Sequence, residues 1–167
     1  MTLTEFNGLI LEQAKEELLK CCGSMNWLRA MLNQRPFSSK EEVEQKATQI
    51  WMNCDRNDYL EAFSHHPKIG DLDSLKEKFA STSDWASQEQ GNVASAQQST
   101  LEDLALANDQ YLEKFGYIFI ICATGKSASE MLAILQERLN NEPEEEIGIA
   151  MREQLKITII RLNKLLS

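Results

Sequence analysis

Both histidines of the chain, His65 and His66, stand side by side in the stretch FSHHPKIGD, residues 63–71, directly ahead of Pro67. Imidazole is the side chain whose ordinary pKa lies closest to neutrality, so acid–base chemistry is the first use to consider. The proline biases His66 toward extended backbone and away from a helix, which lets its side chain project from a helix end into a cleft. Metal binding fits poorly. Adjacent histidines do not share a helix face, a third histidine is lacking, and the four cysteines (Cys21, Cys22, Cys54 and Cys122) follow no ligand spacing. Taken alone, His-His-Pro also reads as an ordinary turn.

Three further stretches carry groups that chemistry uses. SQEQG, residues 87–91, sets the carboxylate of Glu89 beside the amide of Gln90 in a small, polar segment; its plain alternative is a solvated loop. In YLEKFGYIFIICATGKSASE, residues 111–130, a helix runs to Gly116, an apolar segment follows, and Gly125 leads into a new helix. The main-chain groups of Phe119–Ala123 need partners, which a ligand can supply, although buried packing explains the same apolar run. Arg161 borders the apolar stripe of the last helix, where a partly buried guanidinium calls for an anion from the protein or from a ligand.

Helices must position these groups. The 167 residues suit one domain over 1–167, with an apolar fraction of 43% and a charged fraction of 26%. Seven glycines, three prolines and apolar spacings of three and four predict an all-α, compact multi-helix bundle. The helices are expected near 10–22, 24–34, 39–53, 56–64, 99–115, 127–140 and 143–165. Capping boxes mark three of the starts: Ser39 with Glu42, Ser99 with Glu102, and Ser127 with Glu130. Pro143 suits a first turn, and the acidic run behind it suits the helix dipole. Pro36 of RPF stops the second helix, residues 81–100 read as a long loop or lid, and YIFIICA is a β-like run with no neighbour to pair with. The last helix carries Ile147, Met151, Leu155, Thr158, Ile159, Leu162 and Leu165 on one stripe.

A net charge of −9 argues against a nucleic acid or an anionic membrane as partner, while leaving room for an anionic small-molecule substrate in a pocket of placed donors. No apolar run is long enough to span a bilayer, and the opening MTLTEFNGLI lacks the features of a signal peptide, so the cytoplasm is expected. The cysteines then read as reduced, small buried hydrophobes. A homodimer suits an amphipathic helical protein of this size.

In their order, RPF, HPKIGD, EQ and YLEKFGYIFIICATGKSASEMLAILQERLNN resemble the 2-oxo-4-hydroxy-4-carboxy-5-ureidoimidazoline (OHCU) decarboxylases of urate breakdown, of the bacterial type. The likeness runs from FNGL near the start to IIRL near the end. It implies an all-α fold and a decarboxylation that gives (S)-allantoin without a cofactor or metal. Carried over by position, the family's histidine before proline is His66, and Pro67 lines the pocket. Its Glu-Gln pair is Glu89 and Gln90, with Ala86, Ser87 and Gln88 forming the approach. Its ring-holding segment is Phe119, Ile120, Ile121, Cys122 and Ala123, and its late arginine is Arg161, with Arg138 and Arg152 as the neighbouring choices. The resemblance gives His66 the acid–base role, assisted by Glu89. His65 meets no family requirement and is taken as a bystander, and Gly91 and Asn92 depart from the family's small-residue pattern. Two rival readings remain: a helical interaction module without chemistry, and an enzyme acting on another ureido or hydantoin compound.

Overall fold

Side-chain oxygens placed one residue ahead of the helices decide where most of them begin. Thr2, Ser24, Ser39, Asp55 and Ser127 each accept a hydrogen bond from the backbone N–H three residues on, satisfying an amide that the helix itself leaves free. At Thr2, Asp55 and Ser127 the carboxylate of Glu5, Asp58 or Glu130 returns the bond and completes a capping box. At Ser39 the return differs from expectation, because Glu42 reaches one residue further back, to the N–H and hydroxyl of Ser38 at 2.7 and 2.6 Å.

A computed structural model of the chain describes residues 1–67, 72–79 and 91–167. Among them the elements are α1 (Leu3–Gly8), α2 (Leu11–Cys21), α3 (Met25–Asn33), α4 (Lys40–Met52), α5 (Arg56–Ser64), α6 (Leu72–Phe79), α7 (Gly91–Phe115), α8 (Ala128–Arg138) and α9 (Pro143–Leu165). No strand occurs among the described residues, so the all-α expectation holds. Two expectations fail together. Residues 91–98, read as part of a long loop, form the first turns of α7, and Ser99 therefore lies inside a helix and does not cap one. The stretch is polar but rich in alanine and glutamine, which are good helix formers, and Gln98 donates to the Glu102 carboxylate one turn on at 2.9 Å.

The described residues fall into two compact units. The first joins residues 1–66 to residues 149–167. In it α3 packs against α2, α4 and α5, with Trp27, Leu28, Met31, Leu18, Phe6 and Phe63 fully buried. Two tryptophans fasten it, because a buried indole N–H needs an acceptor. Trp27 donates to the carbonyl of Ala47 at 3.1 Å, and Trp51 donates to that of Met151 at 2.8 Å, tying α4 to α9. RPF does more than end a helix. Arg35 Nη2 donates to the carbonyls of Phe6, Asn7 and Leu9 at 2.8, 2.8 and 2.6 Å, and Asn7 pairs both ways with the backbone of Phe37.

The second unit spans residues 67–148, where α7 packs against α6 and α8. Its centre is polar. Glu146, fully buried, accepts from Tyr111 Oη at 2.5 Å, from Arg138 Nε at 2.7 Å and from Asn141 Nδ2 at 3.0 Å. Of the acidic run after Pro143, this residue therefore serves packing as well as the helix dipole. Burial, and then the bond to Glu146, pushes the Tyr111 hydroxyl far above its usual pKa, so it remains a donor. Arg138 Nη1 donates to the Ile120 carbonyl at 2.7 Å, and its guanidinium lies 4.6 Å from the centre of the Phe119 ring. This explains the lone β-like run. After Gly116 turns the chain at φ +80, residues 118–123 are irregular, and their carbonyls meet side chains and turns where a ladder would otherwise serve. Lys126 takes two more, with Nζ on Cys122 O at 3.0 Å and its N–H on Ala123 O at 3.1 Å.

Replacing Arg138 by Met should strip Glu146 of its cation and cost about 3–5 kcal/mol. Urea unfolding should show this as a lower midpoint, and the double replacement with Glu146→Leu should recover part of the loss.

Candidate active site

α5 ends at Ser64, and the N–H groups of His65 and His66 close the last turn onto Ala62 and Phe63 at 3.2 and 3.1 Å. Pro67 cannot continue it, so His66 leaves the helix end with its ring half-buried. His66 Nε2 lies 2.5 Å from Oε1 of Gln154, a glutamine on α9 with no exposed surface. Gln154 Nε2 donates to Thr158 Oγ1 at 3.2 Å, and that hydroxyl donates to the Gln154 carbonyl at 3.0 Å. Gln154, Thr158 and Arg161 are spaced four and three residues apart, which places them on one face of α9. The guanidinium of Arg161 is turned to the end of α2, with Nη1 at 3.3 Å from Lys20 O and 3.5 Å from Cys21 O.

The electrostatics follow from this setting. Burial lowers the pKa of His66 below the usual histidine value, and the charges of Arg161 and His65 push the same way against the opposing Gln154 bond. The imidazole is therefore neutral at neutral pH and ready to accept a proton. Cys22, bonded to Thr158, is pushed up to about 11 and Cys21 to about 12, in both cases by burial first. Neither is a thiolate at neutral pH, and both are buried as expected, whereas Cys54 and Cys122 are half-buried.

His65 has a packing place beside Gly23. A Cβ placed on Gly23 would lie 2.4 Å from His65 Cγ and 2.6 Å from its Cβ, so the imidazole occupies the space that any side chain at position 23 would need.

The remaining expected residues divide. Pro67 is exposed at the end of the described segment, and Ala86, Ser87, Gln88, Glu89 and Gln90 lie outside the described residues. Phe119, Ile120 and Ile121 are buried and Cys122 and Ala123 half-buried, all in the second unit. Of the three arginines weighed, Arg138 is committed to Glu146 and Ile120, and Arg152 is exposed. Arg161 is the one whose charge reaches His66. Sequence reasoning missed Gln154, whose signal was an amide on the buried face of a helix one turn before a threonine.

Residues 7–163 match the family described as OHCU decarboxylase. The chain belongs to that family. It is 41% identical, over 95% of its length, to the uric acid degradation bifunctional protein TTL of Arabidopsis thaliana. To the bifunctional protein PucL of Bacillus subtilis (strain 168) it is 30% identical over 77% of its length. The chain spans about half of the first relative (49%) and a quarter of the second (25%). Among solved structures it resembles an OHCU decarboxylase crystallised in the presence of (S)-allantoin, with 39% identity and a TM-score of 0.73. That likeness covers 90% of this chain and 97% of the other. Within the OHCU decarboxylase family fold, His66 and Arg161 thus stand together in the first unit with Gln154 behind the imidazole.

Followed by NMR against pH, the His66 imidazole should protonate with a midpoint below the usual ~6.5. Gly23→Ala should force His65 from its place and cost about 1–3 kcal/mol, read as a lower melting temperature.

Proposed function

We propose that the chain removes CO₂ from 2-oxo-4-hydroxy-4-carboxy-5-ureidoimidazoline to give (S)-allantoin, a cofactor-independent step of urate breakdown. The observation that carries this reading is the 39% identity to the OHCU decarboxylase crystallised with (S)-allantoin present, over 90% of this chain. Residues 1–167 act as one functional domain in the cytoplasm, with a homodimer as the working assembly. Among the described residues no helix is long and apolar enough to cross a membrane.

The proposed substrate carries a carboxylate and a hydroxyl on one ring carbon, next to a C=N bond. When the carbon–carbon bond breaks, its electron pair moves onto the C=N, whose nitrogen takes a proton, and an enol remains. The hydroxyl then gives up its proton and the neighbouring carbon gains one. Overall an anion and one proton become a neutral product and CO₂. A neutral His66 suits this sequence, since it can take the hydroxyl proton and deliver it to the carbon on one face. Positioned proton transfer of this kind contributes about 10²–10⁴-fold in rate.

Glu89 accepts hydrogen bonds from the hydroxyl or the ureido N–H groups, and Gln90 reads the ureido or ring amide. Pro67 lines the pocket, Ala86, Ser87 and Gln88 form the approach, and main-chain groups of Phe119–Ala123 hold the flat ring. Arg161 positions the substrate through its carboxylate. Its grip has to stay loose there, because a carboxylate bound too tightly resists leaving as neutral CO₂.

The test generates the unstable substrate from urate in place and follows the circular dichroism of the allantoin formed. Rapid growth of a lasting (S)-allantoin signal is expected, slowed about 10²–10⁴-fold in His66→Asn. A racemic product at the uncatalysed rate would overturn the reading and turn attention to other ureido and hydantoin compounds. Because the base must be neutral to act, kcat/KM should hold as pH falls to the ordinary histidine value of about 6.5 and drop only below it.

A further inference from the structure

We infer that Gln154 and Thr158 are positioning residues that hold His66 in the form protonated on Nε2, leaving Nδ1 as the nitrogen that moves the proton. The catalytic half of this inference rests on the decarboxylase reading, whereas the tautomer is a property of the folded chain alone.

Three side chains share a fixed number of hydrogens. The Thr158 hydroxyl has one proton, and it is given to the Gln154 carbonyl at 3.0 Å. Its oxygen can therefore only accept from the glutamine side chain, which sets Gln154 Nε2 toward it at 3.2 Å. The Cys22 thiol, also bonded to Thr158, is kept protonated by burial, so it has an S–H of its own to give and is a far weaker acceptor than the carbonyl. With its nitrogen committed, Gln154 presents Oε1 to His66 Nε2 at 2.5 Å. Two acceptors cannot face each other at that distance, so Nε2 carries the hydrogen. A neutral imidazole has one N–H, so the lone pair lies on Nδ1. Among the described residues Gln154 is the ring's hydrogen-bond partner, and none bonds Nδ1.

Burial makes the arrangement firm. Gln154 has no exposed surface and Thr158 is 2% exposed, so water cannot substitute for either partner at small cost. Among the described residues, the charged or titratable groups around the ring are Arg161 on α9, His65 in the same turn and, through Thr158, Cys22 beyond α2. None of these is an anion that would pull a second proton onto the imidazole.

The experiment reads the tautomer and turnover separately. In the ¹⁵N-labelled wild-type chain near pH 7, long-range proton–nitrogen correlations should show His66 protonated on Nε2 and bare on Nδ1. The signals are assigned by their loss in His66→Asn, and the Nε2 proton should exchange slowly with water. Gln154→Leu should abolish that slow exchange and lower kcat about 10–100-fold with little change in KM. Thr158→Val should act in the same direction, and Thr158→Ser, which keeps the hydroxyl, should restore both readouts. In Gln154→Glu the carboxylate favours the imidazolium, so the acid limb of kcat/KM should move to higher pH. A wild-type His66 protonated on Nδ1 would overturn the inference, as would a Gln154→Leu chain with slow exchange and kcat intact, or an unmoved acid limb in Gln154→Glu. Wild-type chain with the expected tautomer but no decarboxylation would overturn the functional reading and uphold the tautomer.

Discussion

A polar group taken out of water has to find its partners inside the protein, and α9 takes several out along its length. Glu146 in its first turn and Gln154 in its middle have no exposed surface, and Thr158 has almost none. An unanswered carboxylate or amide in such a place costs more than most single contacts return. In the second unit the answer to Glu146 is Arg138, Tyr111 and Asn141. Because Arg138 has nitrogens to spare, the same answer fixes the Ile120 carbonyl and, with it, the irregular segment behind Gly116. In the first unit the answer to Gln154 is Thr158 on one side and His66 on the other.

That economy bears on the chemistry. In a chain of net charge −9, a histidine would ordinarily sit in a field that favours its protonated form. Around His66 the local order is reversed, with burial and a nearby arginine both disfavouring the imidazolium. The arginine is held at the carbonyl end of α2, where a helix accepts positive charge. A single cation so placed disfavours a charged imidazole and favours an anionic substrate.

Much of this could be read from the residues. Apolar spacing placed α2, α3, α4, α5, α8 and α9 to within a residue or two, and Ser39, Ser127 and Pro143 marked the starts of three of them. α1 and α6 escaped, being six and eight residues long and too short to show a period. The start of α7 escaped for a different reason: polarity was taken for irregularity, although alanine and glutamine favour a helix wherever their surroundings allow it. At the site, His66 and Arg161 were legible as residue types out of place, one before a proline and one on an apolar stripe. Gln154 was not. An amide on a buried face has no meaning until its partner is known, and that partner lies 88 positions away. The Glu-Gln pair at 89 and 90 rests on the family likeness alone.

The contact between Gly23 and His65 has a consequence for how the sequence can change over time. The ring fills the space above the glycine, so any larger residue at position 23 has to displace it for as long as an imidazole occupies position 65. Shrinking position 65 first would open position 23 to alanine or serine, whereas the reverse order passes through a clash. The two sites are thus coupled, and the order that shrinks position 65 first is the less costly one.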